Sequence, residues 1–276
     1  MANIKAADVA KLRKATGAGM MDCKNALVET DGDFDKAIDI IRKKGQLIAN
    51  KRADREASEG VVLAKVNDDQ TLGAIVVLNC ETDFVAKNAD FIGLTQKILD
   101  VAIENNPNNL DELKSLKLDG RTIGDQVLEQ NGIIGEKIEL SYFDKIEATQ
   151  VVPYIHPGNK LATLVGFNEK LNDIQVGKDI AMQVAAMAPV AIDKDDVPKS
   201  VVEHELEIGK DQARQAGKPE AMLEKIAMGK LGKFFKENTL LNQAFIKDNK
   251  KVIKDYLKEN GESLTVTGFK RFTLNV

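Results

Sequence analysis

Two cysteines, Cys23 and Cys80, and two histidines, His156 and His204, in 276 residues are too few for a disulfide framework or a zinc-type cluster. Thiols this sparse fit a reducing compartment, and a cytoplasmic protein is expected. No apolar run nears the roughly 20 residues that span a bilayer. The opening Met1-Ala2-Asn3-Ile4-Lys5 has no apolar signal core, so neither membrane insertion nor export is expected. Excess positive charge is missing as well. Lys and Arg total 39 against 43 Asp and Glu, a net charge of −4, which argues against a surface built for nucleic acid.

What is present describes a folded protein. Apolar residues make up 43% and charged residues 30%, and the length suits two or three domains. One basic cluster, Arg42, Lys43, Lys44, Lys51, Arg52 and Arg55, is interrupted by Asp54 and Glu56. Its first members fall at the end of an expected helix, where cations suit the dipole. A solvated helix end and linker is the reading adopted, with an RNA contact as the alternative.

Residues 1–46 are expected to form a three-helix module. Val9 and Leu12 give the first helix an apolar face, and Thr16-Gly17-Ala18-Gly19 stops it. Cys23, Ala26 and Leu27 serve the second. Asp33 is placed to cap a third, with Ala37, Ile38 and Ile41 facing in. So thin a core needs support from a partner or from the rest of the chain. Met20 and Met21, after the glycine turn, suit a contact surface, although Met21 serves equally as core filler. A charged linker, 47–59, follows.

Residues 60–145 then read as a first core unit. Two apolar runs, 61–66 and 74–78, flank Asn67-Asp68-Asp69-Gln70 as a hairpin. A helix runs to about Ile103, with shorter helices at 110–116 and 123–130. Asn131-Gly132 is read as a left-handed stop for the last of these, and 137–143 alternates as a strand. Residues 146–276 repeat the order: runs 151–155 and 161–167 flank His156-Pro157-Gly158-Asn159. A helix carrying Ile180, Val184 and Met187 ends at Pro189, Tyr256-Leu257-Lys258-Glu259-Asn260-Gly261 echoes Val127 to Gly132, and 264–276 supplies a closing strand. About 41 residues are extra in this half, a size typical of one supersecondary unit. Val202, Leu206, Gly209, Ala213 and Ala216, then Leu223, Ile226, Lys230 and Phe234, give an antiparallel helical hairpin at about 195–236 with a heptad seam. The alternative is that both helices pack on the main body. The fold class expected is α+β, with a two-part, pseudo-repeated core built on antiparallel sheets.

The stretch Asn79-Cys80-Glu81-Thr82-Asp83-Phe84-Val85-Ala86-Lys87 joins a buried strand to a helix and sets a carboxylate beside a large aromatic. Loops at such places tend to carry function. The plain alternative is that Asp83 caps the next helix and Phe84 packs beneath it. Two features tilt the balance. The equivalent connection in the second half, Phe167-Asn168-Glu169-Lys170-Leu171, lacks a Thr-Asp-Phe-Val, so the architecture does not require one. Asn88 is also nearer to Phe91 and better placed as the cap.

Two stretches carry a family resemblance. Leu12-Arg13-Lys14-Ala15-Thr16-Gly17-Ala18-Gly19-Met20-Met21-Asp22-Cys23-Lys24-Asn25-Ala26-Leu27 resembles the N-terminal signature of the translation elongation factor Ts family. Val77 to Lys87 resembles that family's second signature. The resemblance implies a non-enzymatic guanine-nucleotide exchange factor that releases GDP from elongation factor Tu, without a cofactor or metal of its own. It also implies a ubiquitin-associated-like N-terminal module and a protruding coiled-coil hairpin. By that resemblance Thr82, Asp83, Phe84 and Val85 form the loop that enters the partner near its magnesium site. Arg13, Met20 and Met21 match the family's N-terminal contact. Tyr154, His156 and Gly158 match a segment directed at another domain of the partner, while His156 taken alone reads equally as a turn-stabilising or exposed histidine. Some family members continue past the equivalent of Val276 into a C-terminal helical module.

Two rivals stand beside this reading. An enzyme would use Asp83 as general base, with or without His156, but no nucleophile, glycine-rich phosphate loop or metal set surrounds them. A passive scaffold would bind through the helical hairpin and exchange nothing. A homodimer or two-fold complex with the partner is compatible with the sequence.

Overall fold

The computed structural model describes residues 4–274; the first three residues of the chain and the last two of the expected closing strand lie outside them. The chain opens with α1 (Ala6–Thr16), α2 (Met20–Glu29) and α3 (Phe34–Lys51). α1 ends where expected, because Gly17 takes the left-handed conformation at φ 73°. Asp33 caps α3 by accepting from the Lys36 amide at 3.1 Å. Leu12, Cys23, Ala26, Leu27, Ala37 and Ile41 form the small core.

α3 corrects the expected linker. It runs on to Lys51, since no helix breaker follows Gly45 and a later helix of the core, Ile123–Ile134, packs along it. The basic cluster is corrected with it. Arg42 pairs with Asp125 at 2.5 Å, Lys44 with Asp22 at 2.5 Å and Arg52 with Glu81 at 2.7 Å. Arg42 and Arg52 tie the three-helix unit to the core and Lys44 ties two of its helices together, while Lys43, Lys51 and Arg55 stay exposed as expected of a solvated helix end.

The first half of the core contains β1 (Glu59–Val66), β2 (Leu72–Cys80), a single turn α4 (Asp83–Ala86), α5 (Ala89–Asn105) and α6 (Leu110–Ser115). A small ribbon of β3 (Lys117–Leu118) and β4 (Arg121–Thr122), then α7 (Ile123–Ile134) and β5 (Glu139–Glu147), complete it. The second half contains β6 (Gln150–Ile155), β7 (Leu161–Phe167) and α8 (Ile174–Met187), then α9 (Lys199–Gln215) and α10 (Glu220–Asn238). It closes with β8 (Ala244–Phe245), β9 (Asp248–Val252), α11 (Ile253–Asn260) and β10 (Val266–Thr273).

The halves share one topology. Each has an antiparallel hairpin, a helix across it, a two-stranded ribbon leading into a second helix, and a third strand antiparallel to the second. The sheet orders are β1-β2-β5 and β10-β7-β6. The two sheets pack face to face through Val62, Ile75, Val77, Val151, Ala162 and Leu164. Their outer faces lie under α5 and α8, over separate clusters that include Leu78, Phe91 and Ile98 in one half and Phe167, Ile180 and Val184 in the other. Strands covered on both faces must be apolar throughout, which is why 74–78 reads as an unbroken run.

Three further expectations are overturned. Gly132 does not stop α7, which continues to a left-handed Gly135 at φ 80°. A Cβ on Gly132 would sit 3.0 Å from the Gly45 Cα, and one on Gly45 would sit 2.9 Å from the Leu128 carbonyl oxygen. The glycine therefore serves close helix contact, not a turn. Asn131 is buried, exchanging bonds with the Ile138 backbone and donating to Val127 and Leu128 carbonyls.

α9 and α10 run antiparallel, with Arg214–Glu220 at 3.2 Å and Lys210–Glu224 at 2.8 Å. Their seam differs from the one expected. Gly209 and Ala213 are buried, but Ala216 is exposed, and α10 buries Leu223, Ala227 and Leu231 where Ile226 and Lys230 were expected. Gly209 lies so close to Ala227 that a Cβ would meet its Cα at 3.0 Å. Met187, expected on the inner face of α8, is exposed at its end, where Ala188 turns left-handed before Pro189. Among the described residues no helix is long and apolar enough to cross a membrane.

Candidate functional site

The strand-to-helix connection after β2 is built around the one-turn α4. Thr82 caps it, its hydroxyl accepting from the Val85 amide at 3.5 Å. α5 is capped separately by Asn88, which accepts from the Asp90 amide at 2.8 Å and the Phe91 amide at 3.4 Å. Asp83 is thus free of the capping role, and Phe84 packs under nothing: it is 84% exposed. The plain reading of both residues fails here. An isolated, almost wholly exposed phenylalanine forgoes burial worth about 1.5–3 kcal/mol.

Asp83 pairs with Lys87 at 2.6 Å along the turn. The Lys87 ammonium holds its carboxyl below the ordinary carboxylate value. A general base working near neutral pH needs its pKa moved upward, so this environment opposes the enzyme reading of Asp83.

Sequence reasoning missed what fastens the loop. Glu136, just past α7, accepts from the Glu81 and Thr82 amides at 3.1 Å each and from the Thr82 hydroxyl at 2.6 Å. The Glu81 carboxylate in turn accepts from the Lys137 amide at 2.6 Å and from the Arg52 guanidinium at 2.7 Å and 2.9 Å, with Arg55 at 3.4 Å. Burial alone would raise the Glu81 carboxyl, but the Lys137 amide and the Arg52 charge outweigh it and hold it low. The partners lie 26 to 56 residues away in sequence, so no local pattern announces them. Beneath the loop, the Cys80 thiol is buried, which pushes its pKa up to about 12, and it donates to the Thr82 carbonyl at 3.2 Å.

Two grooves flank this connection, one reaching the turn between the first two helices and one the turn that carries His156. Gly17, in the turn between Arg13 and Met20, lines a groove of about 370 Å³ with Val85, Asn88, Phe91 and Ile133. Arg13 is exposed, and Met20 and Met21 are 60% and 64% exposed. Met21 is therefore not core filler. Beyond Lys87 opens a second groove of about 660 Å³, lined by Tyr154, His156, Gly158, Met182 and Ile246. His156 is exposed, with its Nδ1 2.9 Å from the Tyr154 hydroxyl. Gly158 stands at φ 93°, a left-handed conformation that strains any residue with a side chain. The next residue, Asn159, accepts from the Val62 amide at 2.7 Å and docks this turn against β1.

Fold and surface define a class: a mixed α+β protein of two repeated halves, whose candidate residues sit on projections and open grooves. Comparison with known proteins makes this specific. A family model described as Elongation factor TS matches residues 81–276. An elongation factor Ts of Porphyromonas gingivalis is 55% identical over 269 residues, covering 97% of each chain. That of Flavobacterium psychrophilum is 51% identical over 275 residues, covering 99% of this chain and all of the relative. That of Cytophaga hutchinsonii is 51% identical over 278 residues and spans both chains completely. The chain belongs to the elongation factor Ts family.

Proposed function

We propose that this protein is a non-enzymatic guanine-nucleotide exchange factor, which binds elongation factor Tu with GDP bound and promotes GDP release so that GTP can rebind. The observation that carries the reading is the exposure of Phe84 on a turn that the rest of the fold holds firmly. Wedging that ring into an apolar crevice of the partner supplies roughly 1.5–3 kcal/mol, available only if the partner rearranges to open the crevice. Asp83, ionised beside Lys87, enters with it. A carboxylate brought near the partner's magnesium disturbs the water and phosphate coordination on which nucleotide affinity depends. The coupling is reciprocal: the factor by which GDP is weakened is the factor by which rebound nucleotide weakens this protein's hold.

Thr82 and Val85 complete that loop. Arg13, Met20 and Met21 are proposed as a second contact on the nucleotide-binding domain, from a ubiquitin-associated-like module. His156 and Gly158 are proposed as a third contact, on another domain, with α9 and α10 forming a coiled-coil arm. The action is cytoplasmic, and the complex is either one-to-one or two-fold.

The test is the rate of GDP release from elongation factor Tu with catalytic amounts of the protein. Phe84→Ala is expected to lose most of the acceleration. An unchanged rate removes the loop from the mechanism, and a parent protein that leaves nucleotide affinity untouched is a scaffold.

A further inference from the structure

A four-residue helix cannot hold itself, because nucleating a turn fixes several dihedrals for one hydrogen bond. The direction in which Phe84 projects therefore depends on what grips α4 from outside. Thr82 has a single hydroxyl proton, and it goes to Glu136 at 2.6 Å. With the proton committed, the lone pairs of that oxygen face the Val85 amide and cap the turn. The other carboxylate oxygen of Glu136 takes the two consecutive amides of Glu81 and Thr82, which fixes the backbone entering the turn. Carboxylate acceptors make the stronger class of hydrogen bond. The grip is mutual, since Glu81 accepts from the Lys137 amide. Arg52, the first residue beyond α3, closes it from the side of the N-terminal helices.

We propose that Glu136 is a positioning residue for Phe84: its carboxylate orders Thr82, Thr82 caps α4, and the capped turn aims the ring. The proposal rests on the exchange reading only for its consequence; the ordering itself is a property of the free protein.

The chain contains no tryptophan, so Phe84→Trp supplies a lone indole reporter on the full-length protein. In that background, indole anisotropy is expected to fall and acrylamide quenching to rise about twofold with Glu136→Ala. Glu136→Gln keeps one carbonyl oxygen for the amides and is expected to fall between parent and alanine variant. With Phe84 restored, Glu136→Ala is expected to lower the limiting rate of GDP release at saturating protein about tenfold. The half-saturating concentration should move less, and Glu136→Gln should recover much of the rate.

An indole held equally in all three proteins overturns the positioning role, whatever the protein does to elongation factor Tu. Equal loss in the glutamine and alanine variants overturns it too, because acceptor geometry then counts for nothing. Should Glu136→Ala not fold, Glu136→Gln decides: a measurable loosening of the indole supports the role and none overturns it. A parent without exchange activity defeats the functional reading separately and leaves the indole measurement standing.

Discussion

The two halves of the core solve the same connection in opposite ways. After β2, the chain makes a capped turn that thrusts Phe84 into solvent at 84% exposure. After β7, the corresponding segment lies down. Leu171 packs against the second core cluster and donates its amide to Gln150 at 2.7 Å, and Asn168 exchanges bonds with the backbone of Ser263 and Thr265. One connection turns its apolar side chain inward and serves stability. The other turns it outward and gains nothing within the chain. A repeat thus supplies its own control, because whatever one half does without is not demanded by the architecture.

The comparison breaks if the two apolar side chains prove interchangeable in effect. Phe84→Ala is expected to cut accelerated GDP release by roughly ten- to hundredfold, the equivalent of the burial it forgoes, and to leave the thermal midpoint where it was. Leu171→Ala should do the reverse, costing about 1–2 kcal/mol in denaturant unfolding with release near parental. That cost is less than for a fully enclosed leucine because Leu171 is only partly buried.

A second contrast concerns one dipeptide in two settings. Asn260-Gly261 ends α11, with Gly261 extended at φ −178°. Asn131-Gly132 lies inside α7 against Gly45. Gly132→Ala is accordingly expected to cost roughly 1–3 kcal/mol through the clash with backbone. It should also loosen the N-terminal helices, detected as faster hydrogen exchange in α1 to α3.

Smaller effects sharpen the contrast further. Asp179 in the second half is buried, which would raise its carboxyl, but Lys247 at 2.7 Å, Gln175 at 2.7 Å and Tyr256 at 3.0 Å hold it below the ordinary 3.8. A lowered folded-state pKa contributes stability that is present above the unfolded value and is lost as pH falls through the folded one. Asp179→Asn should therefore flatten the decline of stability below about pH 4 in acid titrations of unfolding. Smallest of all, Lys87→Ala removes an exposed pair and should leave the thermal midpoint unchanged. Its effect, if the loop acts as proposed, belongs to exchange.

Several features are legible in the sequence. The hairpins at 61–78 and 151–167, the Asp33 cap, the stop at Gly17 and the superiority of Asn88 over Asp83 all follow from local rules that neighbours in sequence satisfy. The candidate loop is legible as well, because Asp83 and Phe84 have no structural employment that the second half also needs. Less legible are the charges. Arg42, Lys44 and Arg52 look like a solvated run until Asp125, Asp22 and Glu81 are brought opposite them. The seam of α10 lies one residue away from the expected one in its middle, since small and long side chains at successive positions fit either phase until Gly209 meets Ala227.

The order of the main helices and sheet strands, the repetition of the halves and the identity of the side chain proposed here for a partner are thus carried by the sequence alone. Periodicity, caps and turn chemistry are local and act through the nearest few residues. Which glycine is a turn and which a contact, where α3 ends, and how the exposed phenylalanine is held are settled only in three dimensions. Each of those depends on groups far apart in the chain: Gly45 against Gly132, Arg52 against Glu81, and Glu136 against Thr82. Such pairs have no sequence signal until folding brings them together.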